Sequence, residues 1–477
     1  EKTAPAHHIG YLEGRLAETR YLIGDMASCV THSEQALESL GWPLPKRPAD
    51  WRLSLARELL VRLAQAVVPE SFEGLSPERR ESRIAAGHLT SRLSEIYIFQ
   101  QNALRVIWSA LRLVNLLEPA GPSADLARAY IIMATLLNAI PGLRSVAADW
   151  CERAERTARQ VGSTDSLIYV LVRRVVCGIS QARWREAESW AEQARELASA
   201  ARDYRQFEQG CTMLLNSVYA QGGFRRSVEL SYELEHSARR REAVQSLYWG
   251  PLIRARSLVR LGRSEEAIGE FERVRPWCES QASITERNLL HGPLALALLQ
   301  SGQRERALEQ AAKGLALMRG MKPVNGLVFG VIHMVTEVYL AEWERVAGGR
   351  DAAAREVEAA AREACKLLRA FTRAFAFAEP FSLLCDGQEA WLSGRTGGAP
   401  RLWWRSAERA VELAMPYEEG RARLELGRHL PPEAAEREAH LLRARELFQR
   451  LEAAVDLSRA EAELARGVPP ARGFVTR

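Results

Sequence analysis

The chain has 477 residues, 47% of them hydrophobic and 26% charged, with a formal net charge of +5. No stretch approaches the ~18 uninterrupted apolar residues of a membrane span, and its Arg alternates with Glu instead of gathering in one stripe, so neither a membrane nor a nucleic acid is the expected partner. One compact core does not suit this length, at roughly 100–200 residues per domain; an array growing in one dimension does.

The first residues, Glu1-Lys2-Thr3-Ala4-Pro5, hold neither an initiator Met nor an apolar signal core. They read as the cut end of a longer protein without a secretory signal. Helix A of a first repeat covers roughly His8 to Ile23, with Gly24-Asp25 as its turn and Cys29, Ser33, Ala36 and Leu37 as the small or apolar face of helix B. Gly41-Trp42-Pro43-Leu44-Pro45 ends that pair, because proline removes an amide donor and restricts its predecessor. Residues 50–67 form an amphipathic helix on the spacing Trp51, Leu55, Leu59, Leu63, Ala66. A loop from Val68 to Ser76-Pro77 leads to a capped start at Ser76, then to a pair over Ile84–Phe99 and Ala103–Leu117 turning at Asn102.

From Ala129 to Leu317 one pattern returns at a fixed interval. Gly142, Ala182, Gly222, Gly262 and Gly302 stand 40 residues apart, followed by Ala147/Ala154, Ala187/Ala194, Ser227/Leu234, Ala267/Val274 and Ala307/Gly314. Small residues let paired helices approach, and glycine supplies a permissive backbone at the turn. This is the signature of a tetratricopeptide-like solenoid, about six residues longer than the ~34 of the standard unit. The expected fold is therefore all-α, a right-handed α-solenoid of about nine antiparallel helix pairs. Residues 1–125 hold N-terminal pairs with an inserted helix and loop, 126–320 the regular repeats, 321–467 degenerate pairs and a cap, and 468–477 a tail. Within 321–467 the helices are expected near Leu327–Val346, Ala352–Phe371, Phe381–Leu392, Leu402–Ala414, from Pro416 to a turn at Leu430-Pro431-Pro432, and near Asp456–Ala465.

No GxxxxGK[ST], HExxH or CxxC is present, and the seven cysteines fall singly inside helical segments. This excludes the phosphate-cradle and zinc-hydrolase motifs and favours a reducing cytoplasm over a disulfide framework. No catalytic residue, metal ligand or cofactor is assigned. The expected binding surface is the concave face, helix A positions 2, 5, 9, 12 and 13. Counted back from Gly222 these are Gln209, Thr212, Asn216, Tyr219 and Ala220; from Gly262 they are Trp249, Leu252, Arg256, Val259 and Arg260. Asn, Tyr, Trp and two arginines suit a peptide backbone or carboxylate; alternatively, Tyr219 and Trp249 pack between repeats and the arginines pair with nearby Glu. Trp403 and Trp404 are adjacent, hence about 100° apart on a helix. Either one is a partner anchor or each packs on a different helix.

A further set of short segments is spread over the chain: Tyr21-Leu22-Ile23-Gly24-Asp25, Gly41-Trp42-Pro43-Leu44-Pro45, Leu126-Ala127-Arg128-Ala129-Tyr130, Trp249-Gly250, Met415-Pro416-Tyr417-Glu418 and Leu426-Gly427-Arg428-His429-Leu430. In these the chain resembles the C-terminal helical region of bacterial multidomain signalling proteins that carry a class III adenylate/guanylate cyclase or Ser/Thr kinase with an AAA/STAND-type ATPase. More distantly it is similar to the sensor solenoids of maltose-type activators. The resemblance implies a non-catalytic sensor or interaction solenoid regulating an upstream ATPase and output domain of the same polypeptide. The alternative is a stand-alone cytoplasmic scaffold that holds a partner peptide in its groove.

Overall fold

The structure, a computed structural model, describes residues 6–22, 25–67, 76–100, 102–140, 142–241, 244–282, 284–321, 329–349, 351–372, 375–431 and 433–466. The expected turn at Gly24, the loop at 68–75, the helix start at Leu327 and the tail at 468–477 lie outside them. The described residues hold 22 α-helices and no strand, so the chain is an all-α stack of helix pairs. They group into two compact units, Glu1–Arg174 and Val175–Arg477.

The first unit contains α1 (Ala6–Leu22), α2 (Met26–Ser39), α3 (Pro48–Val67), α4 (Pro77–Phe99), α5 (Ala103–Leu117), α6 (Ala124–Asn138) and α7 (Arg144–Val161); the division passes through α8 (Thr164–Ser180). Ser76 caps α4, its Oγ accepting from the Arg79 amide at 3.3 Å, and Asn102 caps α5 by accepting from Arg105 at 3.2 Å. Asn102 is thus a helix N-cap, with φ −86°, and not a left-handed turn residue. The core of this unit is aromatic: Trp51 meets Tyr97 and Trp108 edge-on, with centroids 6.0 and 5.0 Å apart. Trp108 donates to Ser54 at 2.8 Å and Arg112 to Glu58 at 3.0 Å, so α3 lies on α5 through Trp51, Ser54 and Glu58. The apolar spacing read from the sequence put Leu59 and Leu63 on that face; instead they are 46% and 64% exposed. His88 ties three helices together, bonding to Asp125 of α6 at 3.2 Å and Glu18 of α1 at 3.3 Å.

The second unit continues with α9 (Trp184–Ala200), α10 (Tyr204–Ala220), α11 (Phe224–Arg241), α12 (Val244–Arg260), α13 (Ser264–Ser280), α14 (Ile284–Gln300), α15 (Arg304–Arg319), α16 (Phe329–Arg345), α17 (Ala352–Thr372), α18 (Glu379–Leu392), α19 (Ala399–Glu412), α20 (Pro416–His429), α21 (Ala435–Arg450) and α22 (Ala454–Arg466). From α8 to α15 the helices start every 20 residues, and α9, α10, α12, α13 and α14 are each 17 residues long. Two such helices and two three-residue turns give 2 × 17 + 2 × 3 = 40, so the extra six residues of the repeat lengthen the helices.

The turns explain the interval. Gly142, Ala182, Gly222, Gly262 and Gly302 all have left-handed φ, 85°, 58°, 80°, 77° and 77°. After each of the last four, the next amide reaches back five residues in the chain-reversing cap: Arg183 to Gly178, Gly223 to Val218, Arg263 to Leu258 and Gln303 to Leu298, all within 2.9 Å. The small positions behind them are buried, Ala187, Ala194, Ser227, Ala267 and Ala307 each at 0% exposure. Gly250 shows why bulk is excluded: a Cβ there would lie 3.0 Å from Glu235 Cβ and 3.1 Å from the Ser231 carbonyl.

Candidate functional site: a buried arginine network

The inward helices of the second unit, α10, α12, α16, α20 and α22, bring charged residues to one place. Arg256 and Arg260, one turn apart on α12, are 1% and 2% exposed. Arg260 donates to both oxygens of Glu337 on α16, at 3.3 and 3.0 Å, and to the Tyr417 hydroxyl on α20 at 2.9 Å. Its second Nη lies 2.7 Å from His333 Nε2, and its Nε 3.4 Å from the Tyr219 hydroxyl. Arg421 reaches Glu337 from the other side at 2.9 Å. Tyr417 passes the chain on, donating to Asp456 of α22 at 2.7 Å.

The electrostatics follow from burial and neighbours. Burial alone would raise the Glu337 carboxyl, but Arg260 and Arg421 hold it well below the usual carboxylate range. Burial works against the Arg260 cation too, and Glu337 outweighs it, keeping the guanidinium charged. Glu418, one residue beyond Tyr417, has no such partner. Its Oε2 is buried without a hydrogen bond among the described residues, and burial pushes its pKa up to about 8. Arg256 is the second unusual group. It lies 3.9 Å over the Tyr219 ring and donates to Asn216 at 3.4 Å, yet meets no carboxylate within ion-pair distance among the described residues.

These contacts put the chain's own C-terminal helices where the sequence placed a groove. The end of the unit comes back onto the turns of α10–α11 and α12–α13: a Cβ on Gly222 would lie 2.9 Å from Leu451, and one on Gly262 3.1 Å from Ala454. Arg225 pairs with Glu452 across the same seam. Trp184 at the start of α9 donates to the Leu413 carbonyl at 2.5 Å, and Phe224 stacks edge-on against Tyr417 at 5.2 Å. A recess of about 310 Å³ along the seam is lined by Arg225, Val228, Glu229, Leu261, Arg263 and Glu452.

The residues singled out from the sequence therefore divide. Asn216, Tyr219, Arg256 and Arg260 come together between α10 and α12, and Arg260 reaches on to α16 and α20. The arginines and Tyr219 are buried, and Gln209 is half-buried on α10. Trp249 is half-buried and donates to Glu286 at 2.9 Å. Trp403 is fully buried, donates to the Leu384 carbonyl at 3.2 Å and fills the gap over Gly387, where a Cβ would meet its Nε1 at 2.4 Å. Trp404 is 46% exposed, with His440 edge-on at 5.5 Å. Sequence reasoning missed Glu337, His333, Tyr417, Glu418, Arg421 and Asp456. In sequence, glutamates and arginines on α16 and α20 look like surface i,i+4 partners, and nothing in a helical period marks contacts 77 to 157 residues apart.

Among the described residues no cluster of His, Cys, Asp and Glu is arranged to hold a metal ion, and no helix is long and apolar enough to cross a membrane. No family model matches the chain, and no curated protein matches it. Among solved structures it is similar to a circular tandem repeat protein with novel repeat topology and enhanced subunit contact surfaces, at 14% identity over 97% of this chain and 96% of that one, with a TM-score of 0.20. It is also similar to the TPR domain of P58(IPK), at 12% identity over 96% and 98%, with a TM-score of 0.23. Both likenesses are distant, and the fold is read from the chain's own helices and turns.

Proposed function

We propose that the chain is a non-catalytic protein-interaction module that meets its partner on an outer face of the helical array. The observation behind this is the fate of the inward side chains: Arg260 is spent on α16 and α20, and Tyr219 and Arg256 are buried beside it between α10 and α12. Trp404 stays on the surface, and Val411, one heptad further along α19, is 54% exposed beside it. An exposed Trp with an apolar neighbour on one helix face is a common anchor for a partner. The finer role, a cytoplasmic sensor that regulates an ATPase and output domain of a bacterial signalling protein, rests on the sequence resemblance, and a stand-alone scaffold is its alternative.

The test is capture of partners from the source lysate with the native chain and with Trp404→Ser, a surface change expected to leave the melting temperature within about 1 °C of native. A specific protein held by the native chain and lost by the variant supports the reading. Capture that survives Trp404→Ser moves the contact elsewhere, and no specific protein at all overturns the module.

A further inference from the structure

Helix α3 packs through one face and leaves an apolar face unused. At 100° per residue, Trp51, Ser54, Glu58 and Gln65 lie on one side, toward α5: Ser54 and Glu58 take hydrogen bonds from Trp108 and Arg112, and Gln65 donates to the Asn115 carbonyl at 3.2 Å. On the opposite side Leu53, Leu60 and Leu63 are 74%, 68% and 64% exposed, and Leu59 is 46% exposed beside them. With the exposed Ala56, Leu53, Leu60 and Leu63 follow the spacing 53, 56, 60, 63. That is the a/d seam of a coiled coil, 3 and 4 residues by turns. A single exposed leucine needs no explanation, but four on one helix face mark a contact surface.

The charges beside the seam say what covers it. The charged side chains exposed beside it are Arg52 and Arg57, at g and e positions that Leu59 and Ala64 fill one heptad on, and neither arginine forms an ion pair with a described residue. The one acid of that stretch, Glu58, is turned away into the α5 contact. In a parallel pair of α3 helices, g of one strand meets e of the other five residues on. Arg52 would then oppose Arg57 of a second copy, a repulsion made twice. We infer that α3 docks an amphipathic helix of another protein, apolar along its seam and carrying Glu or Asp beside it. This deepens the interaction-module reading and rests on it, adding a second surface in the first unit and the chemistry of its partner.

The experiment uses the full chain and two synthetic helical peptides with Leu at a and d, one with Glu at every e and g, the other with Lys. Binding is read by fluorescence anisotropy. The Glu peptide should bind about tenfold or more tighter than the Lys peptide, less so as salt is raised. Leu60→Glu/Leu63→Glu should abolish binding, and Arg52→Glu/Arg57→Glu should reverse the preference; all four positions are exposed, and unchanged melting temperatures verify the fold. Equal binding of both peptides, or binding of neither, overturns the proposal. So does a dimer in light scattering that Leu60→Glu/Leu63→Glu converts to monomer, which would assign the seam to a second copy. Peptide failure with Trp404-dependent capture intact would sink this surface alone and leave the module reading standing.

Discussion

Glu418 is the residue whose behaviour is most distinctive. A carboxyl pushed from 4.5 to about 8 by burial is neutral over most of the range in which the protein's other acids are charged. The folded chain holds this proton more tightly than the unfolded chain does, so its contribution turns against folding as pH rises from about 4.5 toward 8. Glutamine copies the neutral acid. Glu418→Gln should leave the melting temperature unchanged near pH 4.5 and raise it progressively up to pH 8, measured by differential scanning calorimetry. A gain independent of pH, or a loss growing with pH, would mean that Glu418 is ionised in the fold. The neighbouring Glu337 has the opposite sign, its carboxylate being held down by two arginines. Composition cannot tell these two glutamates apart; only the helices around them do.

At the scale of the element, much was legible. Turns every 40 residues fixed where helices end, because a left-handed residue closes each one, and the small residues behind those turns are the buried contacts expected of them. Ala182 is the exception that tests the rule, an alanine at φ 58° where four other turns use glycine. Ala182→Gly should raise unfolding free energy by about 0.5–1 kcal/mol in urea titrations, since a Cβ is disfavoured there. Destabilisation instead would show that the Ala182 side chain contributes more packing than its backbone costs. Helix α3 was legible in extent but not in facing. Its period allows two apolar stripes, and the choice was made by polar partners, Ser54 with Trp108 and Glu58 with Arg112, which a count of leucines ignores. The adjacent tryptophans were legible as a divergence, but not whether one ring stays out, as Trp404 does, or each packs on a different helix.

For the second unit as a whole, local pattern was silent. A repeat specifies its contact with the next repeat, whereas the return of α20–α22 onto α10–α12 depends on pairs such as Arg260 with Tyr417, 157 residues apart. The expected open groove gives way to an array closed on itself through a buried ionic network. Removing one partner of such a network strands a buried charge, at a cost of about 3–5 kcal/mol, so the closure is a strong constraint on where ligands meet this unit. The most direct measurement is a cross-link across the seam. Arg225→Cys and Glu452→Cys replace an ion pair whose side chains are both exposed, 69% and 45%, while all seven native cysteines are buried. A short bismaleimide should bridge the two new thiols rapidly within the native monomer, with each single variant showing only mono-addition. If the double variant is bridged only after denaturation, or only between molecules, α22 does not lie on the α10–α11 turn, and the closed array is contradicted.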